Sequence, residues 1–162
     1  MWVRTASERD LDEIRALLVA TWHDTYDSIY GAQRVTEITD DWHAINVLRQ
    51  RLTQPHSEFV VADNGEKICA VAFASTEDGK LILLHQLYVL PEFQGQGAGG
   101  LLLAEIKDCF PEVRQIMLEV EESNVNAIAF YEKKGFREIG RTENCGDPGS
   151  GMPALILRLD LQ

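Results

Sequence analysis

The chain is poor in the residues that cross-link or coordinate. Its three cysteines, Cys69, Cys109 and Cys145, are an odd number at unrelated spacings, so the expectation is free thiols in a reducing cytoplasm. Its four histidines, His23, His43, His56 and His85, share no ligand spacing, so no metal is expected. No apolar run approaches the roughly 20 residues of a membrane span. The opening Met1-Trp2-Val3-Arg4-Thr5 lacks the basic stretch and apolar segment of a secretory leader. A cytoplasmic location away from membranes is therefore expected. Basic side chains are outnumbered, 15 Lys and Arg against 26 Asp and Glu, for a net charge of -11. That disfavours nucleic acid as a partner, because phosphates need a basic face to neutralise them.

What is present is ordinary globular material. The 162 residues are 45% hydrophobic and 25% charged, enough for one domain over 1–162 with a full core. The acid is spread along the chain, with no acidic tail. It reads either as a solvated surface or as a field that steers a cationic substrate. Asp24, Asp27, Asp40 and Asp41 carry the same two readings.

The pattern begins with a short strand at Val3 and Arg4. Ser7 and Asp10 have the spacing of a capping box, and Leu11, Ile14, Leu17, Leu18 and Trp22 then recur at helical intervals. Residues 23–41 are polar and aromatic with weak periodicity, and a second helix is expected over 42–52. Residues 59–90 read as an antiparallel meander, with hairpin turns at Asn64-Gly65 and Asp78-Gly79. Helices are expected over 97–110, ahead of Pro111, and 126–134, closed by Gly135. Strands are expected over 115–120, 137–141 and 154–161. The loop 144–153, with three glycines and two prolines, carries no signature. This order predicts an α+β fold: a mixed, mostly antiparallel central sheet of about six to seven strands with helices on both faces.

The richest segment is Gln94-Gly95-Gln96-Gly97-Ala98-Gly99-Gly100, where a strand ends and a helix opens. Glycines permit positive φ and close approach of a ligand. The first-turn N–H groups of a helix carry partial positive charge and fit a pyrophosphate whatever the net charge of the protein. Residues 95–100 also match the dinucleotide fingerprint G-x-G-x-x-G, with Glu119 near the end of the next strand. Against a dinucleotide fold, Pro91 to Gln94 intervene after the strand and an antiparallel meander precedes it. Too little chain follows for two mononucleotide halves. No Gly-Lys-Ser/Thr follows, so a P-loop is excluded.

With those residues in hand, the chain resembles the GNAT superfamily of N-acetyltransferases. Gln94-Gly95-Gln96-Gly97-Ala98-Gly99 fits its acetyl-CoA signature Gln/Arg-x-x-Gly-x-Gly/Ala. The run 87–93 looks like its fourth strand and the approach to the loop. Asn124, Ala127, Tyr131, Gly135 and Phe136 match its downstream signature. The match is strong over 59–142, and residues 23–56 and 143–153 add nothing to it. The resemblance implies transfer of an acetyl group from acetyl-CoA to a primary amine by direct attack in a ternary complex. The acceptor would be a polyamine, a small amine or amino acid, or a protein amine. Backbone groups of Leu87, Tyr88 and Val89 would pair with the pantetheine. Amides of Gln94, Gly95, Gln96, Gly97, Ala98, Gly99 and Gly100 would hold the pyrophosphate. Asn124 would bond the pantetheine, and Tyr131 would protonate the departing thiolate. A homodimer is frequent in the family.

Three side chains meet the proton-transfer needs of that chemistry. Tyr131, a phenol protonated at neutral pH, suits the acid, and on spacing alone it also reads as core. His85 interrupts an apolar strand and reads as a base or water relay, or as a hydrogen-bonded structural residue. Glu119 sits among apolar neighbours where burial would raise its pKa, or at an open strand end. Two other classes of function remain in play: a non-catalytic acyl-CoA sensor and a dinucleotide-binding oxidoreductase module.

Overall fold

The computed structural model of the chain describes residues 1–161; Gln162, where the single-domain reading ends, lies outside the described residues. Seven strands and five α-helices are described: β1 (Trp2–Thr5), α1 (Leu11–Tyr30), α2 (Ala32–Trp42), α3 (Ile45–Thr53), β2 (Ser57–Asp63), β3 (Ile68–Thr76), β4 (Leu81–Val89), α4 (Ala98–Cys109), β5 (Gln115–Glu121), α5 (Val125–Lys133), β6 (Arg137–Thr142) and β7 (Ala154–Asp160). The strands form one sheet in the order β1-β2-β3-β4-β5-β7-β6. It is mostly antiparallel, with β4 and β5 parallel over Leu81–Leu83 and Gln115–Met117. The expected α+β sheet is thus observed, at the upper end of its strand count.

The chain divides into two compact units: Met1–Ala74 with Gln86–Cys109, and Ser75–His85 with the chain from Phe110 on. The first holds a core of Leu11, Ile14, Leu17 and Leu18 from α1, Leu48 from α3, and Phe59, Val61, Val71 and Phe73 from the strands. α1 forms because its apolar residues recur every three or four positions through Trp22 and Tyr26. Gly31, at φ 88, ends it. Its N–H donates to Asp27 O, and its carbonyl accepts from Val35 N to open α2. Residues 23–41 are therefore helical apart from this one break. Their periodicity is faint because α2 buries only Val35 and Thr39. Trp42 closes α2, and the third helix starts at Ile45, which corrects the expected helix over 42–52.

In the second unit, β7 lies between β5 and β6, antiparallel to both. The pairing of β6 shifts register between Glu138 and Gly140, a bulge that gives way where glycine has no side chain to place.

The entry to α1 is locked by charge. Asp10 accepts two bonds from the Arg4 guanidinium, at 2.8 and 3.0 Å. It also accepts the Ser7 N–H at 2.8 Å and the Ser7 hydroxyl at 2.9 Å. The Arg4 bonds, with help from Ser7 and against burial, hold the Asp10 carboxyl down at about 2. An Asp10→Asn substitution is expected to lower stability by about 2 kcal/mol, read as a reduced urea midpoint at neutral pH. Because the folded pKa lies below the unfolded value of 3.8, the wild-type advantage should vanish as pH falls from 3.8 through about 2.

Candidate active site

The glycine-rich turn is built by three features. After β4, residues Pro91–Phe93 form a 3₁₀ turn. The side chain of Gln94 reaches back and donates Nε2 to the Val89 carbonyl at 3.1 Å, and Gln96 Nε2 donates to the Glu92 carbonyl at 3.2 Å. Gly95 and Gly97 take φ 78 and 88, a conformation that L side chains rarely adopt. The Gly97 carbonyl then accepts Leu101 N at 3.0 Å, which makes Gly97 the cap of α4. The N–H groups of Ala98, Gly99 and Gly100 lie in the first turn, where a helix offers no partner. The Gln94 N–H is already used, donating to the Pro91 carbonyl at 3.3 Å. The loop is exposed through Gly97, and Leu102, Leu103 and Ile106 anchor the helix behind it. Such an array can hold an anion through backbone dipoles alone.

β4 alternates, but on the parity opposite to the one that would bury His85. Ile82, Leu84 and Gln86 are buried, while Leu83 and His85 are exposed; Leu87, Tyr88 and Val89 are half-buried. His85 Nε2 lies 2.7 Å from the Ser75 hydroxyl. It is not a histidine enclosed in a strand, which corrects the premise of its proposed role. Both parities of this strand are apolar in sequence, so alternation by itself left the inward face undecided.

The polar residue that does point inward is Gln86, with relative exposure of 6%. Arg51, in the last turn of α3, donates Nη1 to Gln86 Oε1 at 2.7 Å. Gln86 Nε2 lies 3.3 Å from His43 Nδ1. Arginine only donates, so the amide oxygen must accept and the amide nitrogen must donate. His43 Nδ1 is then the acceptor, and its proton sits on Nε2. Burial, with the charges of Arg51 and Arg15 adding to it, pushes the His43 pKa down to about 3. In the sequence Gln86 is only a polar residue in an apolar run, and Arg51 and His43 belong to no motif. Their one signal was position beside the apolar face of the helices.

Glu119 is exposed too, and its Oε1 accepts the Gly146 N–H at 3.1 Å. The expected burial of this acid does not occur. The buried carboxylate of β5 is Glu121, two residues on, which accepts the Ser123 N–H at 2.7 Å. Tyr131 is 7% exposed on α5. Its ring sits 5.3 Å from those of both Phe130 and Phe136. Asn124 is the cap of that helix, its Oδ1 accepting Ala127 N at 3.3 Å. Asn124 therefore caps the helix that carries Tyr131.

Of the acidic group noted in sequence, Asp40 pairs with Arg15 at 2.9 Å and Asp27 with His23 at 2.6 Å. Asp24 and Asp27 line a cavity of 580 Å³ in the first unit, with Glu13, Glu92 and Leu17. Among the described residues no three His, Cys, Asp or Glu side chains form a group that could hold a metal ion. No helix among them is long and apolar enough to cross a membrane.

A mixed sheet whose fourth strand runs into a glycine turn and an amide-rich helix start defines a fold that can hold an anion at that turn. Family comparison specifies it: residues 13–136 match the Acetyltransferase (GNAT) family, and the chain belongs to that family of acyltransferases. It is 32% identical over 98 residues to an N-acetyltransferase, YhfO, of Bacillus subtilis, covering 56% of this chain and 66% of that one. It is 30% identical over 118 residues to the N-alpha-acetyltransferase RimI of Mycobacterium tuberculosis, covering 67% and 74%. A relative from Mycobacterium leprae matches over only 21% of its own length, so the chain spans less than two thirds of some of its relatives. In fold it is similar to the PaiA N-acetyltransferase of Thermoplasma acidophilum, solved with coenzyme A, with a TM-score of 0.86, 19% identity and 98% of each chain covered.

The His43 pKa generates a pH prediction. Its folded value lies below the ordinary 6.5, so the unfolded chain binds more protons between the two, and stability rises with pH in that window. The contribution is complete above 6.5 and drains away as pH falls toward 3. The urea midpoint of the wild type should decline from pH 6.5 into the carboxylate range, and the decline should be shallower in His43→Asn.

Proposed function

We propose that the chain is an acetyl-CoA-dependent N-acetyltransferase, one GNAT domain over 1–162 acting in the cytoplasm on a primary amine. The observation that carries this reading is the turn Gly95–Gly97 with both glycines at positive φ, capping a helix whose first amides are left for an anion. Family membership supports the chemistry, and the coenzyme A in a protein of the same fold supports the donor.

The roles follow from what each group can do. Amides of Gly95, Gln96, Gly97, Ala98, Gly99 and Gly100 hold the pyrophosphate. The Gln94 side chain braces the loop, since its Nε2 is bonded to the strand. Backbone groups of Leu87, Tyr88 and Val89 pair with the pantetheine arm, and Asn124 offers its amide N–H₂. The amine attacks the thioester directly, which requires prior loss of its proton. His85 and Glu119 both reach solvent, so either relays that proton through water rather than acting as an enclosed base. Tyr131, its ring packed against Phe130 and Phe136, donates a proton to the departing thiolate.

Two substitutions test the reading. Gly97→Glu should abolish acetyl-CoA binding in a calorimetric titration. An added Cβ at Gly97 meets nothing within 4 Å, so Gly97→Ala isolates the backbone strain and should weaken binding far less. Equal affinity in wild type and Gly97→Glu would remove the loop from the site. Tyr131→Phe should lower kcat by about a hundredfold with little change in acetyl-CoA affinity. An unchanged kcat would place the acid elsewhere.

A further inference from the structure

Four arginines of the described chain are half-buried: Arg4, Arg15, Arg51 and Arg158. Three of them meet an acid. Arg4 pairs with Asp10 and Asp63, Arg15 with Asp40, and Arg158 with Asp160. Among the described residues, no carboxylate lies within ion-pairing distance of Arg51. This is unusual in a chain with 26 acidic and 15 basic side chains. A cation withdrawn from water is ordinarily given a counter-charge. Arg51 instead has a neutral amide oxygen, Gln86 Oε1 at 2.7 Å, and the face of Phe73, with its guanidinium 5.2 Å from the ring centroid. Gln86, a neutral amide, supplies no charge, and its other end is bonded to His43. Burial accordingly lowers the Arg51 pKa, opposed only by the charge of Tyr88.

The placement is as telling as the missing partner. Gln86 immediately precedes Leu87, Tyr88 and Val89, the stretch of β4 assigned to the pantetheine, and Arg51 is fixed to it. A guanidinium placed over a ring and bonded at one nitrogen still has planar donors left to offer. That geometry matches the two oxygens of a carboxylate.

We propose that Arg51 is the specificity-determining residue for the acceptor, receiving the carboxylate of an amino acid-type primary amine. The inference rests on the N-acetyltransferase reading and narrows it. A polyamine would bring a second cation toward an unneutralised one, whereas an amino acid brings the missing negative charge. Gln86 is a positioning residue that orients the guanidinium.

The test pairs turnover with binding. Each of a panel of α-amino acids is compared with its primary amide and its decarboxylated amine, and spermidine is included. Initial rates of CoA thiol release are measured with acetyl-CoA. Calorimetric titrations of the same ligands are run with and without CoA. In the wild type, kcat/KM for the preferred amino acid should exceed that of its amide and amine by about tenfold to a hundredfold. In Arg51→Gln that ratio should collapse toward one, mainly through KM, while Arg51→Lys keeps part of it. Retained acetyl-CoA affinity shows that the variant is folded. Three results would overturn the proposal: a wild type that prefers amides, amines or spermidine; an Arg51→Gln variant that lowers every acceptor equally or loses acetyl-CoA; and a wild type that binds no amino acid of the panel. If acetyl-CoA is neither bound nor consumed, the transferase reading is what fails. The titrations with and without Arg51 then decide the carboxylate site on their own.

Discussion

At the end of β4 the backbone must leave a strand and enter a helix within a few residues. A helix start leaves N–H groups without internal partners, and this cost has to be met by water, a side chain or a ligand. Here the turn consumes its side-chain donors on itself, Gln94 and Gln96 both bonding backward to carbonyls. The amides that follow stay available because Gly95 and Gly97 take a conformation that points the chain forward without a Cβ in the way. Their alignment depends on the α4 residues Leu102, Leu103 and Ile106 being buried. Core packing behind the loop therefore sets the precision of the amide array proposed to hold an anion in front of it.

The electrostatics of the chain are local rather than global. A net charge of -11 would repel a polyanion over long distances, yet salt screens such fields within about 10 Å. Oriented amides act at contact. The same distinction applies to the half-buried arginines. Arg4 is surrounded by Asp10 and Asp63 and pins β1 to the start of α1. Arg51, also half-buried, is paired with an amide and a ring. The first arrangement is complete in the folded chain and the second gains by accepting an anion.

Much of the architecture was legible in the residues. The meander, the helix after the glycine turn and the helix closed by Gly135 fall within a residue or two of their expected limits, because each carries strong periodicity and a stop signal. Residues 23–41 were not legible. Their helices bury few side chains, so hydrophobic spacing thins out there, and Gly31 breaks them without a proline to announce it. The glycine turn was readable because it ends a strand and opens a helix with closely spaced glycines, two of which, Gly95 and Gly97, take positive φ. His85 and Glu119 were legible as polar interruptions, and of the two settings open for each the buried one is not observed: both are exposed, with His85 beside the Ser75 hydroxyl. In β4 both faces are apolar in composition, and in β5 the acid two residues along is the buried one.

The sequence by itself determined where the chain turns, which turns demand glycine, and which helices carry an inward stripe, since these depend on neighbours within a few residues. Only the tertiary structure decided which side of β4 faces the core, which arginine lacks an acid, and which tautomer His43 holds. Those outcomes depend on residues 35 to 43 positions apart brought to within 3.3 Å. No local pattern encodes a separation of that kind; it is set by how α3 and β4 share one core.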